Sequence, residues 1–259
     1  MFRNLQELWK FRALIWALVG RHLNTRYRGS ALGFLWSFLN PLCLIAVYSL
    51  VFQYYIRFDS VENYSLFLFA GLLPWIWFSS GLIEATGSIS SGGSLITKAM
   101  FPPHVLPIVS VLTNLANFIF ALPLLIAYML WVGVDLSWGL IALPLVIAVE
   151  LVFLAGLSIL FAALNVHFRD VQHILGNFIT LWFFLCPILY PITTVPEKFQ
   201  FTMQFNPVAQ FTEMYQSMFL SGELPNFVSL GSMALLAIAT FAFGNWMFNR
   251  YREEFAELV

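Results

Sequence analysis

Charge is scarce in this sequence. Its 259 residues include only 12 Lys and Arg and 13 Asp and Glu, 10% in all, against 60% hydrophobic and 18% aromatic residues. A soluble domain carries about 25% charged residues, so a surface that faces water on all sides is excluded. The net charge of −1 excludes a nucleic-acid partner as well, because neutralising phosphates needs a clustered cationic excess. Cysteine is nearly absent, and Cys43 and Cys186 both lie inside long apolar runs, so they read as small apolar residues rather than a disulfide framework. Lysine occurs only as Lys10, Lys98 and Lys198, and none follows a glycine. A Gly-Lys-Ser/Thr phosphate loop is therefore missing, and the chain cannot itself be a P-loop ATPase. The four histidines, His22, His104, His167 and His173, are scattered with the nearest pair six residues apart, which does not put two on one helical face as zinc ligands. No catalytic constellation, metal site or cofactor site is expected.

What the chain has in abundance is long uncharged stretch. A bilayer core of roughly 30 Å takes about 20 residues of helix. The runs Gly29–Ile56, Asn63–Ile83, Ala99–Val134, Leu136–Phe168 (interrupted only by Glu150), Val171–Pro196 and Leu224–Asn249 each supply that length. The expected fold is an all-α integral membrane protein with six transmembrane helices, at about 31–56, 64–84, 105–134, 138–166, 171–191 and 225–249, preceded by an interface segment over 1–30. Numbering faces alternately, one face holds Arg3, Lys10, Arg12, Arg21, Arg26, Arg28, Lys98, Arg169, Arg250 and Arg252, and the other only Arg57 and Lys198. The positive-inside rule makes the first face cytoplasmic, with both termini inside.

Three features lie outside or against this plain pattern. Within Leu5–Leu23, apolar Leu8, Trp9, Phe11, Ile15, Trp16, Leu18 and Val19 are interleaved with Glu7, Lys10, Arg12, Arg21 and His22, as in a helix lying in the headgroup plane; it serves as an orientation anchor or also as a partner contact. The joint Glu84–Pro103 runs to 20 residues where a tight turn would suffice, and long ordered connections are often functional. Its Gly and Ser residues allow a bend, and Ser94–Met100 has room for a turn or two of helix before Pro102 and Pro103; a plain loop and a docking element both fit. Glu150 is the one acid well inside a span, where charge is costly, and reads either as functional or as a hydrogen-bonded structural group.

Aromatics are the remaining signal, with 28 Phe, 9 Trp and 9 Tyr. Trp75, Trp77, Trp131, Trp138 and Tyr190 suit interfacial belts. Tyr48, Phe52, Tyr54 and Tyr55 in span 1 and Trp182, Phe183 and Phe184 in span 5 exceed what belts require. Ring faces stack on the C–H faces of sugars, so such residues suit a glycan conduit; lipid-facing Phe is the competing reading.

The segment Arg26-Tyr-Arg-Gly-Ser-Ala-Leu-Gly-Phe-Leu-Trp-Ser-Phe-Leu-Asn-Pro-Leu42 resembles the entry into the first span of the membrane subunits of bacterial polysaccharide ABC exporters. The likeness extends over Gly71-Leu-Leu-Pro-Trp75, the Ile96–Pro103 joint, Asn165-Val-His-Phe-Arg-Asp170 and Asn206-Pro207, and is nearest to the O-antigen exporting members. It implies a homodimer bound to two copies of a cytoplasmic ATPase that holds ATP and Mg. It also implies a lipid-linked polysaccharide as cargo and residence in the inner membrane. By the same resemblance 88–101, with Ser94, Lys98 and Met100, is a coupling segment and the N-terminal helix an interface helix. Tyr48, Phe52, Tyr55 and Trp182 become candidates for the glycan path. The alternative is a membrane enzyme acting on an isoprenoid-linked or acylated substrate, for which His167, Arg169, Asp170 and His173 are the nearest polar set; a secondary transporter would need more intramembrane ionisable groups and an internal repeat.

The last expectation concerns 191–225. Asn206 is a good N-cap with Pro207 at the first helical position, and Val208, Phe211, Met214, Tyr215, Met218 and Phe219 recur at helical spacing before Gly222. A helix of about 14 residues spans about 21 Å, too short to cross. With apolar Phe199, Phe201, Met203 and Phe205 upstream, the expectation is a pair of re-entrant external helices, or two lying flat. Met203, Phe205, Phe211 and Tyr215 are the candidate external gate.

Overall fold

The computed structural model describes residues 2–55, 61–92, 102–252 and 255. Among them the regular structure is helical throughout: α1 (Phe2–Lys10), α2 (Arg12–Tyr27), α3 (Trp36–Ser49, continued by a wider π turn, Leu50–Tyr55), α4 (Tyr64–Ser91), α5 (Val105–Trp131), α6 (Leu143–His167), α7 (Val171–Phe184), α8 (Glu197–Gln204), α9 (Pro207–Gln216) and α10 (Phe227–Tyr251). Four stretches are long and apolar enough to cross a bilayer, Tyr64–Ser91, Val105–Trp131, Trp138–His167 and Phe227–Tyr251, while Trp36–Phe52 and Val171–Phe184 are shorter apolar helices.

α4 is the hub. Of its most apolar 18 residues 78% are buried, against 22% for α10, because α3, α5, α6, α7 and α9 all pack on it. α10 lies on the outer side of α6, where two glycines bring the backbones together: a Cβ on Gly244 would sit 2.3 Å from the Gly156 carbonyl oxygen, and one on Gly156 would sit 2.5 Å from the Phe241 nitrogen. Small residues at a seam permit such an approach, which is how helices gain packing energy where lipid is as apolar as the side chains.

Several boundaries differ from those read off the sequence, each for a local reason. α4 does not end at residue 84. Thr86, Ser88 and Ser91 donate their hydroxyls to the carbonyls of Leu82, Ala85 and Gly87 one turn back, so polar residues expected to break the helix continue it. Gly87 serves close packing instead of a bend, since a Cβ there would lie 2.8 Å from Gln172 Oε1. The N-terminal segment is two helices rather than one, separated at Phe11 (φ −92°, ψ 11°). α2 turns Arg12, Arg21 and His22 outward but buries Ile15, Leu18 and Val19 in a second core with Ile89, Val105, Val109 and Phe248. It is docked on the bundle and does not merely float in the headgroups.

α7 stops at Phe184, although an unbroken span to 191 was expected. Pro187 and Pro191 lack an N–H and exclude the preceding turn. The carbonyls this frees are met by side chains: Tyr190 donates to Phe184, Asn206 to Leu185, Gln216 to Pro187 and Tyr64 to Leu189, at 2.7–3.0 Å. Non-helical backbone at membrane depth persists only when its polar groups are satisfied within the protein, and here they are.

Candidate functional site

The aromatic surplus of α3 and α7 meets across α4. Tyr48 stacks on Phe183 with ring centroids 6.1 Å apart and planes at 27°, and Trp75 of α4 packs on the same Phe183 at 5.5 Å. These rings wall a groove of about 400 Å³ together with Asn40, Ser79 and Thr180. Aromatic faces alternating with hydroxyl and amide groups can hold a sugar ring by stacking and hydrogen bonding at once. Of the four residues singled out from the sequence, Tyr48 lines this groove. Phe52 stacks on Tyr64 at the start of α4, 6.3 Å away, and Tyr55 is 73% exposed at the end of the π turn. Trp182 faces the other way, edge-on to Phe78 at 5.6 Å. In the sequence Phe183 is only part of the aromatic surplus and Trp75 only a belt residue; the pairing that reveals them crosses more than 100 residues and leaves no mark in local periodicity.

Trp182 instead leads to the segment 191–225. Its indole N–H donates to Asn206 Oδ1 at 2.9 Å, and the same oxygen accepts the backbone N–H groups of Val208 and Ala209, so one side chain caps α9 and ties it to α7. All six residues of the expected apolar face, Val208, Phe211, Met214, Tyr215, Met218 and Phe219, are buried, and Gly222 ends the run at φ 67°. α9 reaches far along its neighbours: Gln216 and Thr212 crowd Gly71 of α4, Phe211 meets Phe153 of α6 at 6.0 Å, and Tyr215 meets Phe118 of α5 at 6.0 Å. Gly71 and Phe153 lie seven and ten residues in from the near ends of α4 and α6, about 10 and 15 Å along the axis. Tyr215 also donates its hydroxyl to Glu150 Oε2 at 2.7 Å, with both side chains fully enclosed. That bond gives Glu150 a hydrogen-bonded partner inside the bundle.

The four candidate gate residues divide. Phe211 and Tyr215 are core residues at 2% and 0% exposure, Met203 is buried at 7%, and Phe205 is 83% exposed. Met203 and Phe205, with Phe199, Phe201, Trp182 and Tyr190, line an open groove of about 850 Å³ between α7 and α8.

At the opposite end the charges form contacts between elements. Arg26 of α2 pairs with Glu84 of α4, Arg26 Nη1 donates to Asn114 Oδ1 of α5 at 3.3 Å, and Asn114 Nδ2 donates to Glu84 Oε2 at 2.7 Å. Glu7 of α1 lies 3.2 Å from Arg252 at the end of α10 and 3.7 Å from His104 at the start of α5. Ser94, Lys98 and Met100 lie outside the described residues, and Ser88–Ser91 belong to α4. Among the described residues no three His, Cys, Asp or Glu side chains converge as a metal site requires.

Four helices long and apolar enough to cross a bilayer, with a groove beside α4 whose aromatic and polar lining suits a sugar ring, are features that a multi-pass transport subunit would present. Residues 13–220 match the ABC-2 type transporter membrane family, and the chain belongs to it. It is 40% identical to an O-antigen export system permease protein RfbA of Myxococcus xanthus over 100% of both chains, and 32% identical to an RfbA of Klebsiella pneumoniae over 95% of each. A polysialic acid transport protein KpsM of Escherichia coli is 24% identical over 92% of this chain and 93% of its own. These relatives are named as permease and transport proteins rather than enzymes, which disposes of the membrane-enzyme alternative. Membership implies that ATP is used by a separate partner ATPase.

Proposed function

We propose that two copies of this chain form a channel that exports lipid-linked polysaccharide across the bacterial inner membrane, driven by two copies of a cytoplasmic ATPase that binds ATP and Mg. O antigen is the first choice of cargo, with capsule polysaccharide or teichoic acid as the related possibilities. The observation that carries this reading is the end-to-end relationship to the O-antigen export permease of M. xanthus. The groove between α3, α4 and α7 supports it chemically, since Tyr48, Trp75 and Phe183 offer stacking faces beside Ser79 and Thr180.

In this reading the chain makes six crossings, the four long helices plus α3 and α7, with both termini cytoplasmic as the distribution of Lys and Arg requires. Residues 1–30 are the interface helix pair, 31–259 the transmembrane domain, and 88–101, with Ser94, Lys98 and Met100, the segment that docks on the ATPase. Residues 191–225 are re-entrant. The contacts of α9 some 10 to 15 Å along α4 and α6 support insertion over a helix lying flat. Met203 and Phe205 then face the channel mouth as the gate, while Phe211 and Tyr215 anchor it from behind. The test is genetic and biochemical: a strain lacking this chain should keep its polysaccharide inside, lipid-linked, and regain surface polysaccharide when the chain is restored. Normal surface polysaccharide in the deletion strain would refute the reading.

A further inference from the structure

A second cavity, of about 360 Å³, adjoins the aromatic groove on the same face of α3 but nearer its N-terminal end, bounded by α2, α3, α4 and α5. Its lining is unusually polar for a membrane helix bundle: Arg26, Asn40, Ser80, Asn114 and Asn117, with Trp36 at the rim. The charge there is balanced, because Arg26 is already held by Glu84 and Asn114. A bare anion would have to compete with Glu84 for that guanidinium, so the arrangement does not suit a free phosphate. What is left available is neutral. Asn40 and Ser80 make no side-chain hydrogen bond to any described residue, and the indole N–H of Trp77, a further lining residue, is buried without a partner among the described residues. Trp77 and Phe118 stack at 5.1 Å and 18° to form a flat wall. Neutral donors and acceptors around aromatic faces are the chemistry that recognises a sugar ring.

Position narrows the ligand further. Ser80 lies 11 residues from the cytoplasmic end of α4, about 16 Å along the helix and hence at membrane depth. A sugar next to the lipid anchor can reach that depth while its tail stays in the bilayer. The cavity is also one seam from the glycan path: Asn40, Ile76 and Ser80 line both this cavity and the aromatic groove. The link from α2 to α3 carries two left-handed glycines, Gly29 (φ 81°) and Gly33 (φ 49°), with open space around both, a conformation that glycine adopts without strain.

We infer that this cavity is an entry site for the lipid-proximal sugar of the cargo, held by Asn40, Ser80 and Trp77 before it passes the α3–α4 seam into the aromatic groove. The inference rests on the exporter reading, and the experiment separates the two. The complex of this chain with its ATPase is reconstituted in nanodiscs with Ser37→Cys, a lining position outside the three proposed holders, in a Cys43→Ser background, since Cys43 is exposed and would compete for label whereas Cys186 is buried. Maleimide labelling at position 37 is measured against a panel of synthetic polyprenyl diphosphates carrying one hexose or N-acetylhexosamine, and against the same lipid without sugar. A sugar-bearing lipid should protect at about tenfold lower concentration than the bare lipid, and Ser80→Leu should remove about that advantage, the equivalent of one or two lost hydrogen bonds. Equal protection by the bare lipid would overturn sugar recognition. No protection by a lipid that stimulates ATP hydrolysis in the unsubstituted complex would overturn the site and leave the exporter reading intact. Failure of every panel member to stimulate that hydrolysis would count against the exporter reading, and the entry site with it.

Discussion

Replacing Tyr215 with Phe removes one oxygen atom and tests how the external helices are held. The Tyr215 hydroxyl donates to Glu150 Oε2 at 2.7 Å in an enclosed setting, so the variant leaves a buried carboxyl oxygen without its donor. Leaving a buried polar group unmet costs about 1–3 kcal/mol, more than the bond itself contributes. At about 2–4 °C per kcal/mol for a chain of this size, the unfolding midpoint of the purified protein should fall by roughly 2–12 °C. Glu150→Leu on its own strands the tyrosine hydroxyl and should also destabilise. Combining the two removes both polar groups, so the double variant should be less damaged than the sum of the singles, with a coupling of about 1 kcal/mol or more. Intrinsic fluorescence during a thermal ramp gives all four midpoints. Strict additivity would refute the claim that this bond anchors α9 to α6. Since the reading anchors the gate residues Met203 and Phe205 through α9, Tyr215→Phe should also raise ion conductance of reconstituted vesicles without polysaccharide present.

Three other outcomes follow from the packing and the charge pattern. Gly244→Leu must push α10 off α6, because even a Cβ would meet the Gly156 carbonyl at 2.3 Å; overpacking of this kind costs about 1–3 kcal/mol or more, and an unchanged melting midpoint would contradict the seam. Single cysteines at Lys98 and Arg169 should label only from the cytoplasmic side and those at Asp135 and Glu197 only from outside, so external labelling at Lys98 would overturn the orientation. Acidic residues at Lys98 and Met100 should abolish stimulation of the partner ATPase or release it, and undiminished stimulation would remove those positions from the coupling surface.

Much of this architecture was legible in the residues, and the misses have physical causes. The Asn206-Pro207 start, the apolar face from Val208 to Phe219 and the stop at Gly222 depend on neighbours within four residues, and cap chemistry and helical periodicity report such neighbours directly. Pro187 was visible too, but in a run of uncharged residues its effect is hidden: hydropathy measures what lipid tolerates, not whether the backbone stays helical. The Gly and Ser residues of 86–91 allow a bend in sequence terms, since serine hydroxyls can compete with the backbone; in α4 the hydroxyls of this stretch bond one turn back instead. Arg26 reads only as an orientation charge and Glu84 only as the start of a joint, because their partnership spans 58 residues. The groove suffered similarly. Tyr48, Trp75 and Phe183 belong to three helices, so each looks like any other membrane aromatic until the bundle assembles.

The central claim is that cargo passes between α3, α4 and α7 against Tyr48 and Phe183. It is tested most directly by placing a photo-crosslinking phenylalanine analogue at Tyr48, at Phe183 and, as a lipid-facing control, at Leu235, which is 72% exposed, in a complex stalled by a hydrolysis-deficient ATPase during export of radiolabelled polysaccharide. The account predicts labelled polysaccharide covalently attached at 48 and 183 and none at 235. Attachment at 48 and 183 no greater than at 235, in a complex shown to hold trapped cargo, would contradict it.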